Sequence, residues 1–343
     1  MANYSFTLTK QSVRQGILDT SHGQVKTPCI VPLLKQGTFG PVDVQELPKE
    51  GVQILAADGL ELAVEPGLNV LKETGGIGGF LNWHLPTLTF SGRFPVTDKL
   101  KKNASKLGFR YQEPITRADK RMDAARAAEI QGALAGDLAI AAFQNVSYYA
   151  PVDDLNSAMK VNADLQVQEQ ALMASIIPTI IGGGIRTIRQ QSIASWSYLS
   201  AALIDQLPDD DLEEWQRIVA ESFELLPEQC LRIVVAGNAD QLVHALCLGA
   251  DLIITGLPLV DAVQGVAYTE DSQLRIKEAQ YQRDLRMLHN HSAAYWHYLH
   301  HVGANAGTHG LTVNNLHCLL SAVDHDLQND DGQFSLTKRV LTL

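Results

Sequence analysis

The sequence is short of cysteine, of aromatic residues and of positive charge, and it has no long apolar run. Its four cysteines, Cys29, Cys230, Cys247 and Cys318, are scattered and form no C-x-x-C pair. That argues against a disulfide framework and against a thiolate zinc site, and for reduced thiols in a cytoplasmic compartment. The most continuous apolar stretch, residues 171–181, is interrupted by Ser175, Pro178 and Thr179 and is too short to span a bilayer. The first twenty residues lack the apolar core of a signal peptide. Lys and Arg total 27 against 38 Asp and Glu, a formal net charge of −11. A chain of that charge repels phosphate backbones except where basic residues gather.

One such gathering exists, at 99–121, where Lys99, Lys101, Lys102, Lys106, Arg110, Arg117, Lys120 and Arg121 outnumber Glu113 and Asp119. We read it as a solvated loop and hairpin; Lys99, Lys101, Lys102, Lys106 and Arg110 stay open as RNA contacts.

What the chain does have is a large apolar fraction, 45% over 343 residues, enough for one large α/β barrel or two medium domains. Short β-branched runs recur: CIVPLL (29–34), VQILAA (52–57), TLTF (87–90), LAIAAF (138–143), PTIIGG (178–183), YLSAAL (198–203), RIVVAG (232–237) and LIITG (252–256). Continuous apolar runs of this length suit strands buried on both faces, as in parallel sheets. Amphipathic segments such as 121–136 and 238–250 lie between them, the second opening on an Asn cap. Eight strands alternating with helices predict a (β/α)8 barrel, with a doubly wound open sheet as the alternative. The alternating segments YSFTLTK and SHGQVKTP predict an N-terminal hairpin closing the barrel bottom. Residues 1–283 then form the barrel, 284–326 two packed helices, and 327–343 a loosely held tail.

In a barrel, chemistry sits at the carboxyl ends of the strands. Reading those ends in order gives Lys35 and Gln36; Asp58 and Gly59; Ser91, Gly92 and Arg93; Gln144 and Asn145; Gly182, Gly183 and Gly184; Asp205; Asn238; Thr255 and Gly256. Asp58 and Asp205 are the two carboxylates able to act as an acid and a nucleophile if they face one another. Asp205 also precedes the acids of LPDDDLEEW, which suit a helix N-terminus. The Gly182–Gly184 turn leads into a helix bearing Arg186 and Arg189, so it reads as a tight turn or an anion site. His297 and His301 stand one helical turn apart beside His300. No carboxylate or thiolate accompanies them at metal-ligand spacing, so we read them as surface and packing histidines.

Several stretches together resemble the tRNA-guanine transglycosylase family. QGILDTSHGQVKTPCIVPLLKQGTFGPV (15–42) is similar to the family opening G-x-L-x-T-x-H-G-x-V-x-T-P. GGIGGFLNWHLPTLTFSGRFPV (75–96) resembles the segment ending D-S-G-G-F-Q. GFRYQEPITRADKRMDAARAAEIQGALAGDLAI (108–140) resembles its hairpin, helix and strand. RIVVAGNADQLVHALCLGADLIITGLP (232–258) resembles the M-G-V-G segment and the strand leading to F-D-C-V. LRIKEAQYQRDLRML and YWHYLHHVGANAGTHGLTVNNL are similar to the C-terminal end, so the resemblance runs over nearly the whole chain in order.

The resemblance implies a (β/α)8 barrel that exchanges a guanine in tRNA for a deazaguanine. It also implies losses. The general acid/base falls on Phe90 and the nucleophile on Ile254, so no catalytic residue is expected. Second-Gly and Gln positions after the acid fall on Arg93 and Pro95. The base-recognising Asp falls on Phe143 or Gln144, and the Gln of the next loop near Ile181. The G-G-L turn falls on Ala201, Ala202 and Leu203, and Thr-Arg, which contacts tRNA, on Leu259 and Val260. Remnants of the pocket are expected at Ser91, Gly92, Arg93, Gln144, Gly182, Gly183, Gly184, Ala201, Ala202 and Gly237. The zinc loop is missing and the zinc His falls on Asn314, with His317 no substitute, so no metal or cofactor is expected. Nucleophilic catalysis needs its nucleophile, and Ile254 cannot supply one.

The resemblance thus implies a catalytically silent family member, similar in logic to an accessory subunit. Its expected partners are a catalytic transglycosylase subunit or a second copy of itself, with tRNA as a further ligand. Such a barrel is plugged by Phe90, Phe143 and Ile254. The alternatives are an enzyme with another substrate, which requires a hollow polar mouth, and an independent tRNA-binding module using residues 99–121.

Overall fold

The computed structural model describes residues 4–10, 13–95, 108–113, 115–173 and 175–342. Nine parallel segments hydrogen-bond in a row, and the two at its ends, Ile176–Ile177 and Thr179–Ile180, are halves of one stretch split at Pro178. Proline has no N–H to give a ladder, so the pairing changes sides there. The Ile177 carbonyl accepts from the Ala141 N–H at 2.9 Å on one flank, and the Pro178 carbonyl accepts from the Leu203 N–H at 3.0 Å on the other. The row therefore closes into an eight-stranded parallel barrel. Its ring order is Cys29–Leu34, Leu55–Asp58, Thr87–Phe90, Leu138–Ile140, residues 176–180, Ala201–Ile204, Leu231–Val235 and Leu252–Thr255. Closure excludes the open doubly wound sheet.

Each expected run contributes a strand, with shifts at the ends. The second begins at Leu55, because the Val52 N–H turns back to the Leu47 carbonyl. The sixth begins at Ala201, leaving Tyr198 77% exposed in the preceding loop. The fourth stops at Ile140; Phe143–Asn145 leaves the ring and pairs in parallel with Arg93–Pro95.

Side chains alternate across the wall as the pleat demands. Leu88 and Phe90, Leu138 and Ile140, Ala201 and Leu203, Leu231 and Ile233, and Leu252 and Ile254 share one buried interior cluster. Ala139, Ala202, Ile204, Val234 and Ile253 face the helix layer instead. Three of those helices start on side-chain caps: Asp123 on Ala124–Leu134, Asp211 on Leu212–Leu225 and Asn238 on Ala239–Cys247. Each cap oxygen takes an orphan N–H of the first turn, from Arg126, Glu214 and Gln241 respectively, at 2.9 Å.

The amino end carries a three-stranded antiparallel sheet, Tyr4–Lys10, Gln15–Thr20 and Gly23–Thr27, in place of the expected hairpin. The added middle strand alternates buried and half-exposed residues. Two buried carboxylates tie this sheet region to the barrel floor. Asp251 holds the Arg14 guanidinium in a fork at 2.9 and 3.0 Å. Asp137 accepts from the Ser21 hydroxyl and the Thr87 N–H, and the His22 ring lies 2.8 Å away.

Past residue 284 the chain first makes a small hairpin, Met287–Leu288 with His291–Ser292, before its helices Ala293–His301 and Asn305–Gln328. The helices meet at Gly310, where a Cβ would stand 2.0 Å from the Trp296 ring. The last segment is not a loose tail. Asp326 accepts from the Thr337 N–H and hydroxyl at 2.8 Å, helix Ser335–Val340 forms, and Phe334, Val340 and Leu341 are buried. Among the described residues no helix is long and apolar enough to cross a membrane.

Candidate functional site

The strand ends bring most of the inventory to one face, but not as one constellation. Phe90, Phe143 and Ile254 are 3%, 0% and 0% exposed and belong to the apolar cluster inside the ring. Ile181 joins them. Asp58 and Asp205 cap the second and sixth strands, four apart in a ring of eight and so across its full diameter. The Asp58 carboxylate accepts from the Leu60 N–H at 2.8 Å and starts the short helix Gly59–Leu62. The Asp205 carboxylate accepts from the Gln206 N–H at 2.6 Å. The two do not form a pair across an open centre, because hydrocarbon fills that centre.

The triple glycine is a turn in which the first two amides are already taken. Gly182 and Gly183 both donate to Gln206 Oε1 at 2.8 Å, so no anion site is left open on them. The Gln206 Nε2 in turn donates to the Val146 carbonyl at 2.9 Å, crossing from strand six to the loop after strand four. Gly183 has φ +54°, a left-handed backbone that suits glycine. At Gly184 a Cβ would meet the Tyr148 hydroxyl at 2.6 Å, so the missing side chain makes room for that ring. Beneath the turn, Arg189 is buried and gives its guanidinium to the carbonyls of Gly183, Asp205 and Gln206 at 2.9 to 3.1 Å. Burial pushes its pKa down to about 10. Arg189 and Gln206 together lock the tops of strands five and six; the sequence reading took Arg189 only as a helix cation beside the turn and missed Gln206.

The other pocket positions are mostly structural. Gln144 is held through its backbone by Asn162, which accepts at 2.8 Å and donates at 3.0 Å. The Gly237 N–H donates to Gln241 Oε1 at 2.8 Å. Ala201 and Ala202 stand in the ring, Ala201 opening its strand at the far end from the mouth, and not in a turn. Gly92 has φ +116° and Ser91 is buried beside Glu169. Arg93 enters the short pair with Phe143. Lys99, Lys101, Lys102 and Lys106 lie outside the described residues. Arg110 is exposed on the hairpin Phe109–Gln112 with Asp119–Met122, directly across from Arg121.

Glu169 is a second group that the sequence reading overlooked. It is 0% exposed on helix Val152–Leu172, and its Oε2 accepts from the Ala142 N–H at 3.1 Å. Burial raises its pKa to about 8, outweighing the Ala142 N–H hydrogen bond and the nearby Ser91 hydroxyl, which favour the anion.

In the C-terminal unit His297 Nδ1 lies 2.7 Å from the Ile276 carbonyl, and the His297 and His301 rings stack at 6.3 Å. Burial lowers the pKa of His300. Asn314 donates to the Tyr268 carbonyl at 2.8 Å. Among the described residues no group of three His, Cys, Asp or Glu is placed to hold a metal ion.

Beside the plugged centre lies a cleft of about 590 Å³ at the ends of strands four, six and seven. Asn145, Tyr148, Tyr149, Asp205, Asp209, Asp210, Trp215 and Gln241 are among its walls. The Tyr148 and Tyr149 rings meet edge to face at 4.9 Å and donate to Glu214 and Asp210, each at 2.5 Å. The Tyr148 pKa rises to about 12 through burial and the Glu214 carboxylate. The mouth is therefore both plugged in the middle and polar at one rim.

A closed parallel barrel with an antiparallel cap below and a helical unit behind defines the class as a (β/α)8 barrel protein. The family model described as queuine tRNA-ribosyltransferase matches residues 9–325. A queuine tRNA-ribosyltransferase of Methylobacillus flagellatus is 29% identical, over 91% of this chain and 90% of the relative. One from Prochlorococcus marinus (strain MIT 9303) is 28% identical over 92% and 91%, and one from Halalkalibacterium halodurans 26% over 98% and 92%. The chain belongs to the queuine tRNA-ribosyltransferase family.

Proposed function

We infer that this chain is a member of that family that does not exchange bases itself and serves as an accessory or scaffold subunit in queuosine modification of tRNA. The observation carrying this reading is the burial of Phe90 and Ile254 in the ring's apolar interior. The resemblance places the acid/base and the nucleophile at these two positions. A hydrocarbon side chain neither transfers a proton nor forms a covalent bond to ribose. The Asp58 and Asp205 carboxylates each accept from a local backbone N–H, of Leu60 and Gln206, and the ring's interior hydrocarbon lies between their strands.

An accessory role requires a surface for the partner. Leu285, Met287, Tyr298 and Val302 are 78%, 64%, 57% and 52% exposed, and all four lie at the C-terminal helical unit. This apolar surface supports pairing with a catalytic subunit or with a second copy. The exposed Arg110 and Arg121 support contact with tRNA phosphates from the hairpin that follows strand three.

The test is incorporation of labelled guanine into unmodified tRNA by the purified chain, alone and mixed with an intact transglycosylase from the same source. The chain alone is expected to incorporate none and to co-elute with the intact enzyme or as a dimer. Incorporation by the chain alone overturns the reading.

A further inference from the structure

The floor of the barrel, opposite the plugged mouth, holds a separate cavity of about 320 Å³. Arg14, Glu228, Arg232, Gly249 and Phe334 are among its walls. Arg232 is the second residue of strand seven, and Gly249 lies in the turn that leads into strand eight. The cavity therefore sits at the end of the ring away from the carboxyl ends of the strands.

The two arginines there differ. Every nitrogen of the Arg14 guanidinium is used, on Asp251 and on the carbonyls of Glu228 and Cys230, at 2.9 to 3.0 Å. The Arg232 guanidinium is barely used. It lies over the Phe223 ring, 5.1 Å from the centroid, and its Nη2 donates to the Phe223 carbonyl at a long 3.4 Å. Its Nε is buried with no acceptor. Asp251 accepts from the backbone N–H of Arg232, at 2.8 Å. Burial, and then the neighbouring Arg14 charge, lower the Arg232 pKa against the opposing pull of Asp251 and Glu228. A charged donor held out of water without an acceptor is costly, so an oxygen supplied by a ligand is favoured there.

Room for that oxygen comes from Gly249. Its φ is +80°, and a Cβ there would stand 3.5 Å from Arg232 Nη1 and 3.2 Å from Arg14 Cδ. Without that carbon the guanidinium edge stays open to the cavity. Stacking on Phe223 fixes its plane, and a fixed guanidinium fork matches two oxygens of a carboxylate or a phosphate. Leu8, Leu246 and Phe334 give the cavity an apolar wall. Glu228 lines it too and opposes an anion, so removing that charge forms part of the test.

We propose that this floor cavity binds a small organic oxyanion, its carboxylate or phosphate head at the Arg232 guanidinium and its hydrocarbon body against Leu8, Leu246 and Phe334. Binding is read without RNA and without a partner, so failure here leaves the accessory reading standing, and the converse holds.

Benzoate, phenyl phosphate and the neutral benzamide are titrated into the full chain and followed by calorimetry. At least one of the two anions is expected to saturate a single site, with benzamide binding roughly tenfold or more weakly. The tighter anion identifies the head group. Arg232→Lys keeps the charge but not the fork, and is expected to weaken that anion by roughly tenfold. Glu228 is exposed, so Glu228→Gln leaves the fold intact even if Arg232→Lys does not; it is expected to strengthen the anion a few-fold. No saturable binding of either anion, benzamide binding as tightly as the anions, or anion affinity unmoved in Arg232→Lys or in Glu228→Gln overturns the proposal.

Discussion

Replacing Glu169 by Gln is expected to change stability in a way that depends on pH and grows toward the alkaline side. In the folded chain this carboxyl is fully buried and its pKa stands at about 8, against an ordinary value of 4.5. An acid whose pKa is raised by folding binds its proton more tightly in the native state. Its favourable contribution is complete below pH 4.5, declines as the unfolded chain ionises, and is gone once pH passes about 8. The difference in pKa corresponds to roughly 5 kcal/mol of stability lost across that window, a slope near 1.4 kcal/mol per pH unit. That is a large part of the 5–15 kcal/mol expected for a domain.

Glu169→Gln keeps an oxygen for the Ala142 N–H and cannot ionise. Its stability is expected to match wild type within about 1 kcal/mol at pH 5 and to exceed it by several kcal/mol at pH 9. Urea unfolding at half-unit pH steps measures this directly as a pH-dependent separation of the two midpoints. A constant separation from pH 5 to 9 refutes the reasoning, because it means that the native carboxyl titrates as it does in the unfolded chain.

Two further substitutions probe the frame. Asp251→Ala leaves the Arg14 guanidinium buried against the barrel floor without its fork partner. A cost of about 3–5 kcal/mol is expected, read from the shift of the denaturant midpoint. Gly310→Ala normally favours a helix by up to about 1 kcal/mol, yet here the new methyl group runs into the Trp296 ring. The expected sign is therefore reversed, a loss of about 1–3 kcal/mol with changed Trp fluorescence.

The barrel was legible because each of its strands is buried on both faces, so the apolar runs stand out and their order fixes the ring. What the sequence hid were contacts between elements. Pro178 reads as a strand start, yet it is the joint at which the ring closes, visible only once Ala141 and Leu203 are seen on its two flanks. YSFTLTK and SHGQVKTP alternate clearly; the strand between them hides its pattern because one of its buried positions, Gly16, has no side chain and the apolar Ile17 stands half-exposed. Phe334, Val340 and Leu341 sit among polar residues in a short terminal segment, so their burial depends on Asp326, which folds the segment back.

The site was harder to read for the same reason. Inspecting strand ends finds Asp205 but not the Gln206 and Arg189 contacts that lock the wall behind it. Gln206 looks like an ordinary loop residue, and Arg189 like one of several helix cations. Only the Gly182–Gly184 turn placed against them reveals that the Gly182 and Gly183 amides are already occupied. Ala201 and Ala202 show the converse error: similarity of pattern places them in a turn, while the pairing with Leu231 and Arg232 places them in the ring.

The plugged centre can itself be tested by attempting to unplug it. Phe90→Asp and Ile254→Asp together put carboxylates at the two positions that the resemblance assigns to acid and nucleophile. Both positions are surrounded by interior hydrocarbon such as Val31, Ile140, Leu203 and Ile233. A carboxylate buried without a partner costs several kcal/mol, and losing the aromatic ring costs about 3–5 kcal/mol more. The sum for two sites reaches or exceeds the whole stability expected of such a domain. The double variant is therefore expected to be unfolded at room temperature, and each single variant to melt well below wild type. A double variant that melts with the parent would mean that water reaches the ring's upper layer. The hydrocarbon plug, and with it the physical basis for a silent barrel, would then fail.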